Sequence, residues 1–156
     1  MSTLKSSRTD TWDQRFVHLA ECVAQWSKDP STKVGAVIVR PDKTIASMGF
    51  NGFPRGTSDD VGLYEDRQEK YARIVHAELN AILFARERLD GYTIYNWREP
   101  TCAACAGAVI QAGITRVVSP PPTEDFLSRW SASLDSAFAM YREAGVAVDY
   151  VGEVRD

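Results

Sequence analysis

The sequence predicts an α/β fold, a three-layer α-β-α sandwich with a mixed five-stranded sheet, on three observations. Helical and strand patterns alternate along the chain in the order α-β-β-α-β-α-β-α-β. One strand candidate is a continuous apolar run, the pattern of a strand covered on both faces. The later helix candidates each end at a glycine or turn that leads into a strand, as parallel, right-handed crossovers require.

The elements follow in chain order. Trp12, Phe16, Leu19, Val23 and Trp26 are spaced four, three, four and three apart, one stripe of an amphipathic helix. That stripe stops at Asp29-Pro30, where proline disfavours helix. Val34-Gly35-Ala36-Val37-Ile38-Val39 is the apolar run; Asp42-Lys43 turns into a second strand, Thr44 to Asn51. Phe53 to about Gln68 is too charged and irregular for core. Ile74 to Arg88 reads as a helix carrying Leu79, Ile82, Leu83 and Ala85 inward. Asp90-Gly91 turns into the strand Tyr92 to Asn96. Cys102 to Gln111 is a short helix closed by Gly113. Thr115 to Ser119 is a strand stopped by three prolines. Phe126, Trp130, Leu134, Phe138 and Tyr141 mark a long amphipathic helix ending near Gly145, before a strand from Val146 to Val151.

Composition narrows the function classes. The 156 residues suit one domain with a substantial core, and 44% hydrophobic with 25% charged content is ordinary for a globular chain. A net charge of −3 and a pI near 5.4 argue against a polynucleotide-wrapping surface, but leave room for a free nucleotide held by a local cationic pocket. No apolar run is long enough to span a membrane, and Met1 to Asp10 lacks the apolar core of a secretory signal. Three cysteines, two of them in Cys102-x-x-Cys105, point to a reducing, cytoplasmic setting and thiolate chemistry.

Two helix starts carry the chemistry. His76 and Glu78, two residues apart, would point about 200° apart on a regular helix, so they converge only where the helix begins. Cys102 and Cys105, three apart, share a helix face, and the positive end of a helix favours their thiolates. One imidazole and two thiolates leave a tetrahedral zinc with its fourth position open for water, the catalytic pattern. A closed structural site would want a fourth ligand. The remaining candidates, His18 and Cys22, lie on the first helix, where Cys22 reads as core and His18 as helix margin. Glu78 is then free to act as acid and base beside the metal.

These motifs carry a resemblance. Ile74-Val75-His76-Ala77-Glu78-Leu79-Asn80-Ala81-Ile82 resembles the zinc-binding helix of the deoxycytidylate (dCMP) deaminases, within the cytidine deaminase superfamily. Ser27 to Ala36 resembles the family's entry into its first strand, Gly49-Phe50-Asn51-Gly52-Phe53-Pro54 its Gly-Tyr-Asn-Gly-x-Pro motif, and Ile110 to Ile114 the end of its cysteine helix. The resemblance implies one deaminase domain over residues 1–156 that hydrolyses dCMP to dUMP and ammonia, supplying dUMP for thymidylate synthesis. It implies His76, Cys102 and Cys105 as Zn2+ ligands and Glu78 as catalytic acid/base. Asn51, Ala77 and Lys33 are the candidate substrate contacts. Gly49, Phe50, Asn51 and Gly52 would form a regulatory site for dCTP (activating) or dTTP (inhibiting) with Mg2+, in a homohexamer. By residues alone, Gly-Phe-Asn-Gly is a turn after a strand.

Three departures stand out. Phe50 replaces the usual tyrosine. Thr101 precedes the first cysteine where proline is usual, and can cap the helix. Pro120 to Asp125 lacks the tyrosine and basic residue that many relatives bring to the substrate phosphate, which leaves Lys28, Lys33, Arg55 and Arg116 as candidates. Three alternatives stay open: a dCTP or dual dCMP/dCTP deaminase, an RNA-acting adenosine or cytidine deaminase, and a zinc-stabilised binding module. The acidic balance weighs against RNA, and Glu78 against a purely structural zinc site.

Overall fold

The computed structural model describes residues 11–151; the polar head Met1–Asp10, read above as lacking a signal, lies outside them. Its elements are α1 (Thr11–Ala24), β1 (Gly35–Val39), β2 (Ile45–Phe50), α2 (Val61–Glu65), α3 (Arg67–Arg73), α4 (Ala77–Phe84), β3 (Thr93–Trp97), α5 (Ala103–Gln111), β4 (Arg116–Ser119), α6 (Glu124–Ala144) and β5 (Ala147–Tyr150). The sheet order is β2-β1-β3-β4-β5. β1 runs antiparallel to both β2 and β3, whereas β3, β4 and β5 are parallel, joined by crossovers through α5 and α6. This is the three-layer sandwich that the alternation of patterns predicts.

Strand alternation divides the core in two. Ala36, Ile38, Ile94 and Val117 face α4, α5 and α6, where Ala77, Ala81, Ala106, Val109, Ala137 and Tyr141 meet them. Val37, Val39, Tyr95 and Val118 point the other way, onto Phe16, Val17 and Ala20 of α1. β1 is buried at every position, as its continuous apolar run requires. Helices approach the sheet closely at glycines. A Cβ on Gly35 would lie 2.1 Å from the Ala20 carbonyl oxygen, and one on Gly49 would lie 2.5 Å from the Ala81 nitrogen. Alanine or larger at either place forces a helix off the sheet.

The structure corrects five local readings. The stripe on α1 runs through Phe16, Ala20 and Val23, while Trp12 and Trp26 at its ends are exposed. Cys22, read as core, is exposed, because the tighter line of alanines takes the buried face. Helix α4 starts at Ala77 rather than Ile74, since Val75 pairs as an isolated antiparallel bridge with Gly52. It also stops at Phe84, leaving Leu83 and Phe84 exposed. The charged stretch after Phe53 contains two short helices, each started by an aspartate side chain: Asp60 caps Gly62, and Asp66 caps Gln68 and Glu69.

Candidate active site

The site is built where two helices begin. The Gly52–Val75 bridge holds the chain extended up to His76, with backbone bonds of 2.8 and 3.1 Å between the two residues. Asn80 adds a side-chain bond of 2.8 Å to the Phe50 carbonyl, fastening the first turn of α4 to the end of β2. His76 itself is the N-cap, with extended backbone and no side-chain capping bond. That break in helical geometry lets residues 76 and 78 serve one place. Cys102 is likewise the extended N-cap of α5 and makes no side-chain cap. Thr101, expected as a cap, is instead buried with its hydroxyl on Tyr141 of α6. Ser133 of α6 supplies the capping oxygen, accepting from the Ala103 N–H at 2.9 Å.

His76, Cys102 and Cys105 come together here. Nδ1 of His76 lies 3.2 Å from Sγ of Cys105 and 3.5 Å from Sγ of Cys102, and the three atoms all fall within 4.8 Å of one another. A tetrahedral zinc with Zn–N of about 2.0–2.1 Å and Zn–S of about 2.3 Å places nitrogen and sulfur about 3.5 Å apart. The donor set and its spacing therefore fit zinc. His76 is exposed, Cys102 half-buried and Cys105 buried, so the cluster opens to solvent on its histidine side.

Electrostatics distinguish the two cysteines. Hydrogen bonding from the Cys105 thiol and from His76 pulls the Cys102 thiol down to about 4, against the cost of burial. Cys105 moves up, because its thiol donates a hydrogen bond to Cys102 and is buried beside Glu78. The hydrogen bond to Cys102 raises His76. Glu78 is 5% exposed, and burial raises its carboxyl above the ordinary range although His76 pulls the other way. Among the described residues no lysine or arginine pairs with it. A buried carboxylate without a cation is available to carry a proton.

The remaining candidates are placed differently. Asn51 is buried at the end of β2: its carbonyl oxygen accepts from Val34 N–H at 2.9 Å, and its amide donates to the Thr32 carbonyl at 2.8 Å and to Asp29 at 3.4 Å. It ties the strand's end to the loop before β1. Ala77 is fully buried, and its carbonyl would lie 2.6 Å from a Cβ at Gly49. So Gly49 serves helix packing, whereas Gly52 has open space around it. Phe50 is partly exposed, edge-on to Trp26 at 6.2 Å between centroids.

Of the four cations considered for a phosphate, three are engaged. Arg116 binds Asp13 with two bonds of 2.7 and 2.8 Å and Asp149 with one of 2.7 Å. Lys28 pairs with Asp59 at 2.8 Å, and Arg55 lies over the Phe84 ring. Lys33 donates to the Ser27 carbonyl. Sequence reasoning missed Ser133, whose hold on the start of α5 is taken up below, and Asn96, fully buried in β3 without a hydrogen-bond partner among the described residues. Neither carries a motif.

A deaminase-type centre, one imidazole and two cysteine sulfurs beside a buried glutamate, is the class that fold and site define. A model of the cytidine and deoxycytidylate deaminase zinc-binding region matches residues 10–119, and the chain belongs to that family. Its relatives include the uncharacterized deaminase of the luxG 3′ region of Aliivibrio fischeri, 47% identical over 90% of this chain and 93% of that protein. The deoxycytidylate deaminase of Mus musculus is 39% identical over 76% of this chain and 71% of its own length. Among solved structures, the dCMP deaminase of cyanophage S-TIM5 in complex with dCMP and dUMP shares the fold. It has a TM-score of 0.71 and 22% identity, and the match covers 88% of this chain and 95% of that one.

Proposed function

We propose that this chain is a zinc-dependent aminohydrolase that converts dCMP to dUMP with release of ammonia, so that its product feeds thymidylate synthesis. The observation that carries the reading is the His76–Cys102–Cys105 cluster at zinc-ligand spacing, beside a buried Glu78 with no cationic partner. The named deoxycytidylate deaminases among its relatives support the substrate. His76, Cys102 and Cys105 would hold the zinc, and zinc bound there would supply the Lewis acidity that lowers the pKa of water toward about 7. Glu78 takes one proton from the attacking water and delivers it to the ring nitrogen, then carries the proton of the new C4 hydroxyl to the leaving amine. Water adds at C4, the C4–N bond breaks, and ammonia leaves. Burial suits Glu78 to this, because raising a carboxyl's pKa makes it a better proton acceptor that can still return the proton. Asn51 and the Ala77 backbone border the base.

The test is ammonia release from dCMP, dCTP and tRNA by zinc-loaded and chelator-stripped protein. Turnover of dCMP that disappears on stripping and returns with zinc is the expected result. Turnover confined to dCTP or to tRNA overturns the substrate, and full activity without zinc overturns the mechanism.

The reading extends to regulation and assembly. Ile45, Met48 and Phe50 of the edge strand β2, with Trp26, form an apolar surface with exposures from 37% to 60%, which supports a homo-oligomer, as the family's hexamers suggest. Phe50 lies both on this surface and in the Gly49–Gly52 motif. Open space at Gly52 and the exposed acids Asp59, Asp60, Glu65 and Asp66 support a dCTP or dTTP site between copies, with Mg2+ offsetting charge repulsion. Calorimetry with dTTP and Mg2+, alongside the mass in solution, tests both. No described helix is long and apolar enough to cross a membrane, and a free, exposed Cys22 suits the cytoplasm.

A further inference from the structure

The turn between β3 and α5 carries Cys102, and α6 holds that turn on both sides of the cysteine. Thr101, one residue before it, is 1% exposed, and its hydroxyl meets the Tyr141 hydroxyl in the core. One residue after it, the Ala103 N–H donates to Ser133 Oγ at 2.9 Å. Further back, Glu99 accepts from Thr123, the N-cap of α6, at 3.2 Å. The Cys102 carbonyl accepts from Ala106 N–H at 2.9 Å, so whatever holds Cys102 also sets the first turn of α5, where Cys105 lies. Helix α6 falls outside the zinc-binding region matched above, which ends at residue 119.

The geometry of α6 suits this hold. Leu134, Ala137 and Tyr141 form its buried stripe, so the Tyr141 ring is fixed by packing against the core it shares with Ala106 and Val109. Helical side chains tilt toward the N-terminus, which aims Tyr141 back along α6 toward Ser133, eight residues earlier. The two groups thereby reach backbone positions only two residues apart. Tyr141 is 2% exposed, and among the described residues neither its hydroxyl nor that of Thr101 has another side-chain partner, so each satisfies the other. A proline before the cysteine would fix its own φ covalently. Thr101 leaves φ free, and the bond to Tyr141 supplies the constraint from across the fold.

We infer that Tyr141 and Ser133 are positioning residues for the metal. Acting through Thr101 and the Ala103 amide, they hold Cys102 and Cys105 at ligand spacing from His76 before the ion arrives. Helix α6, and not the cysteine motif alone, then sets how tightly zinc is held and how slowly it leaves. The inference rests on the zinc reading above.

The test uses the full chain, wild type against Tyr141→Phe, Ser133→Ala and Ser133→Thr, with Tyr95→Phe as the control. Tyr95→Phe also removes a buried phenol hydroxyl, but one bonded to Asp13 on the opposite face of the sheet. The readouts are zinc affinity by chelator competition, the rate of zinc release, the visible absorption of the Co2+-substituted protein, and melting temperature. Tyr141→Phe and Ser133→Ala should each weaken zinc about ten- to hundred-fold, the usual worth of a group that orients a ligand, mostly through faster release. Both should alter the cobalt absorption, and Ser133→Thr, which keeps the hydroxyl, should recover most of the loss. Tyr95→Phe should lower the melting temperature and leave zinc affinity and the cobalt absorption unchanged. Ser133→Ala carries the test by itself if Tyr141→Phe does not fold. Wild type that binds zinc tightly, with variants that match it in release rate and cobalt absorption, overturns the role of α6 and leaves the zinc site standing. An equal loss of zinc in Tyr95→Phe also overturns it, since that marks general loosening of the fold. Wild type that binds no zinc overturns both.

Discussion

Glu78 and Asp13 are both carboxylates buried to within 5% of full enclosure, on opposite faces of one sheet, and their surroundings differ in kind. Asp13 accepts two bonds from Arg116 and one of 2.8 Å from Tyr95, so its charge is met by a cation and a hydroxyl. Arg116 in turn grips Asp149, so this network binds α1 to the first residue of β4 and to β5. Glu78 faces a histidine and two cysteines and, among the described residues, pairs with no arginine or lysine. A charge met by its neighbours in this way serves the fold. A carboxyl that burial pushes up and nothing neutralises is a cost to the fold, and it is tolerated where chemistry uses it.

The sharpest way to break this contrast is Glu78→Gln. The amide keeps the volume and loses the proton relay. Turnover should fall by about two to four orders of magnitude, while zinc content and melting temperature stay near wild type. A variant with ordinary turnover would place the proton shuttle elsewhere and make Glu78 one more structural carboxyl.

Arg116→Ala probes the other side. It removes the guanidinium from Asp13 and Asp149, and breaking a buried pair in this way costs about 3–5 kcal/mol. Urea unfolding should register that loss, while the folded fraction keeps its KM for dCMP, because Arg116 is committed to two aspartates. A stable variant with a raised KM would show that Arg116 serves the substrate rather than the fold.

The two regions also differ in how far the sequence discloses them. The metal site is legible because its signals are local: cysteines three apart at a helix start, and a histidine and glutamate too close to share a regular helical face. The Asp13–Arg116 network joins residues 103 positions apart, and neither residue sits in a pattern. Ser133 was invisible for the same reason, since only the packing of α6 brings it to Ala103, 30 positions away. The misplaced start of α4 has a tertiary cause. Ile74 and Val75 continue the helical periodicity, but the Gly52 strand end captures them as a bridge partner. Helices α2 and α3 lacked an apolar face to announce them. Asp66 followed three residues on by Glu69, a capping-box pattern, was the available signal.

The same division between groups spent on the fold and groups left open runs through the Gly49–Gly52 motif, where it yields the smallest and most discriminating prediction. From sequence, glycines at both ends let backbone approach a ligand. The structure separates them. A Cβ at Gly49 meets the Ala81 nitrogen at 2.5 Å and the Ala77 carbonyl at 2.6 Å, rigid backbone of the helix that carries Glu78. A Cβ at Gly52 meets only the Tyr64 hydroxyl, at 4.0 Å. Gly49→Ala must push α4 off β2, so it should cost about 1–3 kcal/mol and reduce turnover by displacing Glu78. Gly52→Ala should leave stability within about 0.5 kcal/mol of wild type, as open positions do. Melting temperatures of the two variants check this directly. A Gly49→Ala protein as stable as wild type would return that glycine to the ligand. A Gly52→Ala protein of normal stability that no longer binds dTTP with Mg2+ would assign the open end of the motif to the effector, and the closed end to the fold.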